Sequence, residues 1–332
     1  MTSFTVFYDD ARADAWLNDD RLLALIRFGP PTAPLSDPRV CAIPLPELGG
    51  GATAEVWLGA RPALIGITDG IRHANDGEVL FLQLSLDEYA PDALQPLTAV
   101  AYRRLFALAR SLGYVHFLRI WNYFSEINQE FEGLERYRAF CAGRHQALVA
   151  ELAEFETRLP AASAIGTHGP GLSLYALAAR EPGAQIENPR QVSAFHYPRR
   201  YGRRSPSFSR AVLKAWGEGR EHLYISGTAS IVGHASRHGD LLSQLDETLA
   251  NLEALLAEAN RRASAPLGLV LLKIYVRSDL DPSPLRARIA QTMGADVPML
   301  FLRADICRQE LLVEIEGLAT SIASHHLQDR AL

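Results

Sequence analysis

The sequence predicts an α+β fold of two duplicated domains, each a mixed sheet with helices on one face. Two observations carry this prediction. The order strand, helix, strand, helix and paired strands occurs in the first half of the 332-residue chain and again in the second. The stretches RIWNYFSEIN and KIYVRSDLD occupy the same place in each copy, as do LSLYALAA and LLVEIEGLA. A repeat of more than about 100 residues indicates domain duplication rather than a solenoid unit.

The first copy begins with VLFLQLSL at 79–86, an apolar stretch typical of a buried strand. Apolar side chains at spacings of three and four predict an amphipathic helix over 94–113. HFLRIWNYFSEIN at 116–128 predicts the next strand, and 133–152 predicts the second helix. Two strands around a Gly-Pro turn then complete the copy within 162–179.

The second copy begins with HLYISGTASIVG at 222–233, a strand-like stretch with small residues in its middle. Regularly spaced leucines predict an amphipathic helix over 241–262. VLLKIYVRSDLD at 270–281 predicts a mixed apolar strand, and 283–294 predicts a short helix. Two strands around a polar turn are expected within 297–319.

The repeat divides the chain at the end of its first copy. We expect an N-terminal domain over 1–180 that carries an N-terminal extension, and a C-terminal domain over 181–332 that carries the catalytic acid. The arginine- and proline-rich stretch 180–211, which contains RRYGRR, is too long for a simple linker. We therefore expect this stretch to pack on the domains.

The composition excludes several classes of protein. A net charge of -5 and a pI near 6.1 disfavour nucleic-acid and anionic-membrane partners. The three cysteines are widely spaced and form no CxxC pair, which predicts neither a disulfide framework nor a metal site. The N-terminus lacks the basic start and apolar core of a signal peptide, and no apolar run approaches ~18 residues. We expect a cytoplasmic protein.

The late strand LLVEIEG contains the best candidate for an acid. In a strand, Glu314 and Glu316 point to one side while Val313 points to the other. Burial between Leu312 and Val313 would raise the pKa of Glu314, so that it could hold a proton near neutral pH. The alternative is that both glutamates lie on a solvated or ion-paired face. Counting along the repeat places Tyr175 at the equivalent position in the first copy.

The chain resembles the chorismatase family. The resemblance rests on RIWNYFSEIN, GLERYRAFCAGR, PSFSRA, ISGTASIVG, KIYVR and DICRQELLVEIEG, which occur in this order between about 115 and 317. It implies fused RidA/YjgF-like domains, which are similar in turn to chorismate mutase. It also implies release of pyruvate from chorismate without a metal or organic cofactor. Three RidA-like subunits close a ring, so two copies together with the N-terminal and central segments favour a monomer that is a pseudo-trimer. The chain most resembles the subgroup of xanthomonadin-pigment bacteria that forms both 3- and 4-hydroxybenzoate.

The resemblance assigns roles to residues near this acid. It implies that Glu314 protonates the enol ether of chorismate and that only the second copy is catalytic. Cys307 and Ala229 lie where subgroups of the family differ. Cys307 resembles the 3-hydroxybenzoate-forming subgroup, whereas Ala229 resembles the subgroup that hydrolyses chorismate to a dihydroxycyclohexadiene carboxylate. Without the resemblance, Cys307 would be interpreted as a buried structural cysteine.

Chorismate has two carboxylates, so its site needs cations or phenols that bind them. Arg144 resembles a binding residue of the family, and the hydroxyls of Tyr201 and Thr228 are candidate donors. Four further groups complete the predicted site or its strands: Arg303, Arg119, its repeat partner Lys273, and the small SGTAS segment. The alternative for each arginine is a surface or ion-paired role. We expect Arg303 and Glu314 on adjoining strands, with Cys307 near the turn between them.

Two other functions stay open at this point. The first is the hydrolysing chorismatase, which Ala229 favours. The second is a non-catalytic protein that binds carboxylated metabolites on the same scaffold. The retention of Glu314 argues against the second, because a binder has no need of a protonated acid.

Overall fold

The computed structural model describes residues 4–10, 13–29, 36–88, 90, 93–169 and 171–321. These residues form three larger β-sheets that share one core, two small two-stranded sheets, and four α-helices on the outer faces of two of the larger sheets. None of the helices in the described part of the chain is both long and apolar enough to cross a membrane.

The first sheet forms from the N-terminal segment. Its strands are β1 (Thr5–Asp9), β2 (Leu22–Phe28), β3 (Val40–Ile43) and β4 (Ala54–Leu58). Their order is β1-β4-β2-β3, and only β2 and β3 are parallel. Instead of an α-helix, the short 3-10 helix Ala13–Asn18 covers one face with Trp16 and Leu17. The sequence predicts an extension here but no separate sheet.

The second sheet contains the first copy of the repeat. Its elements and the small β9-β10 hairpin beside it are β5 (Leu64–Thr68), β6 (Ile71–Asn75), β7 (Val79–Leu86), α1 (Leu94–Ser111), β8 (His116–Ser125), β9 (Glu130–Phe131), β10 (Leu134–Glu135), α2 (Arg136–Glu151), β11 (Ala161–Thr167) and β12 (Leu172–Ala179). The apolar faces of both helices pack on this sheet. Leu105 and Phe140, for example, are both fully buried in that layer.

The third sheet contains the second copy. Its elements and the small β16-β17 hairpin are β13 (Ala184–Ile186), β14 (Ala211–Gly217), β15 (Arg220–Ala229), β16 (Ile231–Val232), β17 (Ala235–Ser236), α3 (Leu241–Asn260), β18 (Leu267–Val276), α4 (Ser283–Met293), β19 (Met299–Arg303) and β21 (Val313–Ser321). The short strand β20 (Asp305–Ile306) lies between β19 and β21 in the chain but belongs to the second sheet. Asp240 caps α3 by accepting a hydrogen bond from the backbone N–H of Ser243. The leucine face of α3 then packs on the sheet.

The two larger sheets confirm the predicted duplication and the α+β class. The second sheet contains the order β11-β8-β12-β7, and the third contains the equivalent order β19-β18-β21-β15. In each copy the first of these pairs is parallel and the others are antiparallel. Tyr175 lies opposite Trp121, as Glu314 lies opposite Tyr275. Tyr175 and Glu314 are therefore equivalent, as the repeat predicts.

The prediction that the last two strands form a hairpin is wrong. β19 pairs in parallel with β18, and β21 pairs antiparallel with the opposite edge of β18. β18 therefore separates Arg303 from Glu314. The residues between them cross to the other half of the molecule, where β20 pairs with β11 of the second sheet. This crossing brings Cys307 to the junction of the two duplicated units.

The inner faces of all three sheets form one continuous core. Val6 and Ile26 contribute to it from the first sheet, Leu177 from the second, and Tyr224 and Leu302 from the third. The N-terminal segment thus supplies a third wall that the duplication itself does not provide. Its connection to the third sheet includes an isolated bridge between Glu47 and Leu302.

Candidate active site

A cavity of about 510 Å³ lies between the two duplicated units. The second unit of the sequence contributes three of its lining segments, within 197–210, 227–231 and 307–314. The first unit contributes residues within 128–138, from the segment after β8 to the first turn of α2. A volume of this size is typical of a pocket for a small molecule.

Glu314 is the acid of this cavity. It lies on β21 between Tyr275 of β18 and Ala229 of β15, and its side chain is only 4% exposed. Burial, and then the charge of Glu316, raise the pKa of Glu314 to about 8, against the opposing effects of Arg119 and Arg210. Glu314 therefore holds a proton at neutral pH, which is the state required of a general acid.

A bulge in β15 brings the backbone close to this carboxyl group. The pairing register of β15 with β21 shifts between Ile225 and Thr228, so Ser226 and Gly227 are displaced. A Cβ atom added to Gly227 would lie 2.7 Å from Cδ of Glu314 and 3.0 Å from Oγ of Ser163. Only glycine leaves room for the carboxyl group at this point.

Two of the predicted product-determining residues line the cavity beside Glu314. Ala229 is directly opposite Glu314 in the strand register. Cys307 is on the segment that leads into β21, and its thiol pKa is raised by burial and by the charge of Glu314. Cys307 therefore remains a neutral thiol, which gives it little reactivity as a nucleophile.

The predicted phenol also lines the cavity. Tyr201 is covered by the guanidinium of Arg308, whose Cζ lies 4.2 Å from the ring centroid. Nη1 of Arg308 donates hydrogen bonds to the carbonyl of His234 and to Oγ of Ser236, both at 3.0 Å. Arg308 is thus held in place, and it joins Tyr201 on one wall.

Three arginines that line the cavity were not predicted from the sequence. Arg210 is 3% exposed, and its Nη2 donates to the hydroxyl of Tyr197 at 2.7 Å. Its Nε has no hydrogen-bond partner among the described residues. Arg308 and Arg200 also line the wall near Tyr201. Arg210 lies in the quoted stretch PSFSRA and Arg308 lies in DICRQELL, so a signal for both was present in the sequence.

Arg144 is buried just behind the lining. Its guanidinium lies over the rings of Phe140 and Phe208, with Cζ 4.9 and 5.8 Å from the centroids. Phe208 lines the cavity, whereas Arg144 does not. Within the described part of the chain, Nε and Nη2 of Arg144 have no hydrogen-bond partner. Unsatisfied N–H groups on a buried guanidinium are costly, so a ligand that accepted hydrogen bonds from Nε and Nη2 of Arg144 would relieve that cost.

Arg119 and Lys273 occupy equivalent strand positions, but neither lines the cavity. Nζ of Lys273 is 2.6 Å from Oε2 of Glu55 and 3.2 Å from Oε1 of Glu316. Nη2 of Arg119 is 2.8 Å from Oε2 of Glu316 and donates to Oγ of Ser163 at 2.6 Å. The two cations therefore belong to a buried ion network, which corrects their expected role as direct substrate ligands.

Two other expected binding residues also lie outside the cavity lining. Arg303 ends β19, its side chain is 42% exposed, and Nη1 lies 3.8 Å from Oδ2 of Asp279. It was expected near the acid because the two strands are consecutive in sequence. Thr228 is buried, and its hydroxyl donates to the carbonyl of Ser226 at 3.0 Å. Thr228 therefore supports the bulge instead of facing a ligand.

The chemistry of the lining residues is that of an acid surrounded by anion-binding groups. Within the described residues, no cluster of three or more His, Cys, Asp or Glu side chains could hold a metal ion. Glu314 can donate a proton, and Arg210, Arg308 and Tyr201 can bind carboxylates. The fold and this cavity define an enzyme that acts on a small molecule between two duplicated α+β units.

Comparisons with known proteins identify the family. The chain is 40% identical over 278 residues to the 3-hydroxybenzoate synthase of Streptomyces hygroscopicus, covering 80% of this chain and 81% of that protein. It is 39% identical over 275 residues to a chorismatase of Streptomyces rapamycinicus, with 80% and 81% covered. Residues 55–178 match the family model described as chorismatase FkbO/Hyg5-like, N-terminal. The chain therefore belongs to the chorismatase family.

A solved structure supports the same conclusion at the level of the fold. A chorismatase crystal structure matches 96% of this chain and 98% of its own chain, with a TM-score of 0.83 and 34% sequence identity. The match includes the N-terminal segment as well as both duplicated units. The first sheet is therefore a part of the chorismatase fold.

Proposed function

We propose that this enzyme removes pyruvate from chorismate and forms 3-hydroxybenzoate, together with 4-hydroxybenzoate. The observation that carries the proposal is a glutamate with a pKa of about 8 in a cavity whose walls contain arginines. Release of pyruvate from an enol ether requires a proton at carbon near neutral pH, and Glu314 has one to donate.

The reaction begins with transfer of the Glu314 proton to the methylene carbon of the enol ether. The methylene becomes a methyl group, and positive charge develops on the ether carbon and oxygen. The ionised Glu314 then lies beside this charge and stabilises it.

The bond between the ring carbon and the ether oxygen then breaks, and its electron pair completes the ketone of pyruvate. A hydroxyl of the substrate bonds to that ring carbon and returns its proton to the ionised Glu314. The resulting epoxide opens at one of its C–O bonds, the ring loses a proton and the oxygen gains one, which gives the aromatic hydroxybenzoate. The atoms of pyruvate and hydroxybenzoate together equal those of chorismate, so no water is consumed.

Substrate binding rests on the cations and the phenol of the lining. Arg308 and Tyr201 bind one carboxylate on their common wall, and Arg210 binds the other from the wall near Gly227. Arg144 completes the set when Phe208 moves aside. Arginine suits this role because its planar donors match both oxygens of a carboxylate.

The choice of product depends on the two residues beside the acid. Cys307 and Ala229 both line the cavity next to Glu314, so either can control which nucleophile reaches the cationic intermediate. The bulk of the Cys307 side chain keeps water from the ring and favours trapping by the substrate itself. The 3-hydroxybenzoate synthase that is 40% identical to this chain supports this choice of product.

The test is incubation of the purified protein with chorismate, followed by chromatography and a pyruvate assay. Formation of 3-hydroxybenzoate with equimolar pyruvate supports the proposal. Glu314→Gln should retain the fold and lose on the order of 100- to 10,000-fold in rate. The control Glu253→Gln removes an exposed carboxylate on α3 and should keep full activity. Equal activity of the wild type and Glu314→Gln would overturn the role of Glu314.

Two alternatives give different results in the same assay. Ala229 favours the hydrolysing reaction, which would yield the dihydroxycyclohexadiene carboxylate with uptake of one water. Cys307→Ala should move the wild-type mixture toward this product if the thiol excludes water. A protein that binds chorismate without consuming it would instead be a non-catalytic member of the scaffold.

We also propose that the chain acts as a monomer. Three sheets of one chain already surround the common core, which is the arrangement of a closed trimer. Light scattering of the purified protein at assay concentration tests this point, since a mass near 36.5 kDa is expected.

A further inference from the structure

The buried ion network lies directly behind the acid. Glu316 is two residues after Glu314 on the same face of β21, so strand geometry separates the two Cα atoms by about 7 Å. Glu316 accepts hydrogen bonds from Oγ of Ser163 at 2.5 Å and from Nε1 of Trp121 at 2.6 Å. Ser163 also accepts a hydrogen bond from the backbone N–H of Gly227 at 3.0 Å. The network therefore reaches the backbone that touches the Glu314 carboxyl group.

The charges of this network balance. Arg119 and Lys273 supply two positive charges, and Glu55 and Glu316 supply two negative charges, with all four residues 3% exposed or less. Loss of one carboxylate would leave a net positive charge beside Glu314. In a buried environment such a charge acts strongly on a neighbouring carboxyl group.

We propose that Glu316 is a positioning residue that keeps the proton on Glu314, by neutralising the buried cations behind it and by fixing Ser163 against Gly227. This inference rests on the proposed function, because it assigns a purpose to the protonated state of Glu314. It gives Arg119 and Lys273 an electrostatic role in place of the direct contacts expected from the sequence.

Charged and titratable groups approach Glu314 from several elements. Glu316 faces it along β21, Arg119 from β8, Arg210 from the segment before β14, and Cys307 from the segment before β21. The two arginines favour the ionised form of Glu314, whereas burial opposes them most strongly and a nearby negative charge adds to the effect of burial. Glu316 provides that charge.

Glu316 itself is held in the ionised state. Burial alone would raise its pKa, but Lys273, Arg119 and hydrogen bonds from Ser163 and Trp121 lower it below the ordinary value. The two glutamates of one strand thus have opposite protonation states at neutral pH. Separation of two carboxyl pKa values by their surroundings is a recurrent way to create one acid and one anion.

A purely structural role explains this arrangement less well. Buried ion pairs contribute little to stability compared with apolar residues of the same volume. The network also continues through Ser163 to Gly227, which forms part of the active-site lining. An ion pair that served only the stability of the fold would not need hydrogen bonds that lead to the backbone beside Glu314.

The experiment is the pH dependence of kcat/KM in Glu316→Gln. In the wild type, activity should fall above the pH at which Glu314 ionises. Loss of the negative charge should lower that pH by about one to two units, because the uncompensated cations favour the ionised form of Glu314. Glu316→Gln/Lys273→Met removes one charge of each sign and should return this pH toward the wild-type value. The double variant also restores charge balance if the single variant folds poorly.

Glu55→Gln is the matched control. Glu55 belongs to the same network, but it contacts Lys273 and Trp57 on the far side from Ser163 and Gly227. Glu55→Gln also removes one buried carboxylate, but it should shift the pH dependence of kcat/KM less than Glu316→Gln does. Equal shifts in the two variants, or lower rates without any shift, would overturn the role of Glu316.

A direct titration makes failure of this inference distinguishable from failure of the proposed function. Carbon-13 NMR of glutamate-labelled protein, with Glu314→Gln to assign the signal, follows the Glu314 carboxyl without any substrate. A signal that titrates at the same pH in the wild type and Glu316→Gln would overturn the inference, whatever the assay shows. Absence of chorismate turnover in the wild type would reject the proposed function alone.

Discussion

The carboxyl group of Glu314 lies against the α-carbon of Gly227. A β-carbon at residue 227 would come within 2.7 Å of Cδ of Glu314, closer than such atoms pack in proteins. The bulge in β15 creates this contact, since it displaces Gly227 from regular pairing with β21. Glycine is required here for space and not for a left-handed backbone conformation.

Gly227→Ala should therefore displace the acid. We expect a loss on the order of 100-fold or more in the rate of pyruvate release, because a general acid must lie within hydrogen-bond reach of its target. Gly239→Ala is the control, since an added β-carbon there meets no atom within 4 Å. Kinetics and thermal unfolding of both variants check the prediction, and unchanged activity in Gly227→Ala would contradict it.

The pH dependence of the wild-type enzyme should follow the same acid. The proposed mechanism requires the protonated form of Glu314, whose pKa is about 8. We expect kcat/KM to be retained below about pH 8 and to fall about tenfold for each further pH unit. Initial rates of pyruvate release between about pH 6 and about pH 10 measure this profile on both sides of the pKa. A profile that stays level across that range would show that the required proton comes from elsewhere.

Burial of this acid should also affect stability. The folded state keeps the Glu314 proton to about pH 8, whereas an unfolded glutamate loses it near 4.5. The folded state binds more protons between these values, so this group lowers the free energy of unfolding as pH rises through that window. Below about pH 4.5 the group makes no difference to stability.

Glu314→Gln should remove that penalty. Relative to the wild type, the variant should gain up to a few kcal/mol at about pH 9 and nearly nothing at about pH 4.5, because a pKa difference of one between the folded and unfolded states corresponds to about 1.4 kcal/mol. Urea unfolding of both proteins at the two pH values measures the difference. Glu253→Gln should behave alike at both. A Glu314→Gln variant less stable than the wild type at the higher pH would contradict the burial argument.

The sequence predicted the features that depend on local pattern. The duplicated strand and helix order, the equivalence of Tyr175 with Glu314, and the α+β class all follow from periodicity and repetition. The placement of Arg303 was wrong because neighbours in sequence need not be neighbours in a sheet. Parallel strands require a crossover, and β18 occupies the place between the two strands.

Other features depend on contacts that no local pattern encodes. Arg119 and Lys273 were expected to bind substrate because the sequence alone does not show which carboxylate a cationic side chain pairs with. Their partners Glu55 and Glu316 lie on strands that are far apart in the sequence, β4 and β21. Arg210 and Arg308 were missed for the same reason, since the packing of long connections decides which arginines face the cavity.

The motif RRYGRR has a further consequence for substrate capture. Arg200 and Tyr201 line the cavity, and Arg203 and Arg204 follow them on the exposed loop at its edge. In a protein of net charge -5, this places positive charge next to residues that line the cavity. Chorismate would carry two negative charges, so a positive rim should raise its local concentration.

Arg203→Gln/Arg204→Gln should therefore lower kcat/KM at low ionic strength and leave kcat unchanged. A unit charge roughly 10 Å from a dianion contributes about 0.8 kcal/mol in water, or about fourfold, and the pair should contribute about sixteenfold. The difference should fade above about 0.15 M salt, where screening acts within about 8 Å. Steady-state kinetics at ionic strengths from about 10 mM to about 500 mM measure this effect, because the screening length falls severalfold over that range.

The control for the rim is Arg103→Gln/Arg262→Gln. These arginines are exposed on α1 and just after α3, and neither lines the cavity. This double variant changes the net charge by the same amount, so it separates a local field from a change in total charge. Equal salt dependence in the two double variants would show that total charge matters and the rim does not. A decrease in kcat for Arg203→Gln/Arg204→Gln would instead assign the loop a part in the chemical step.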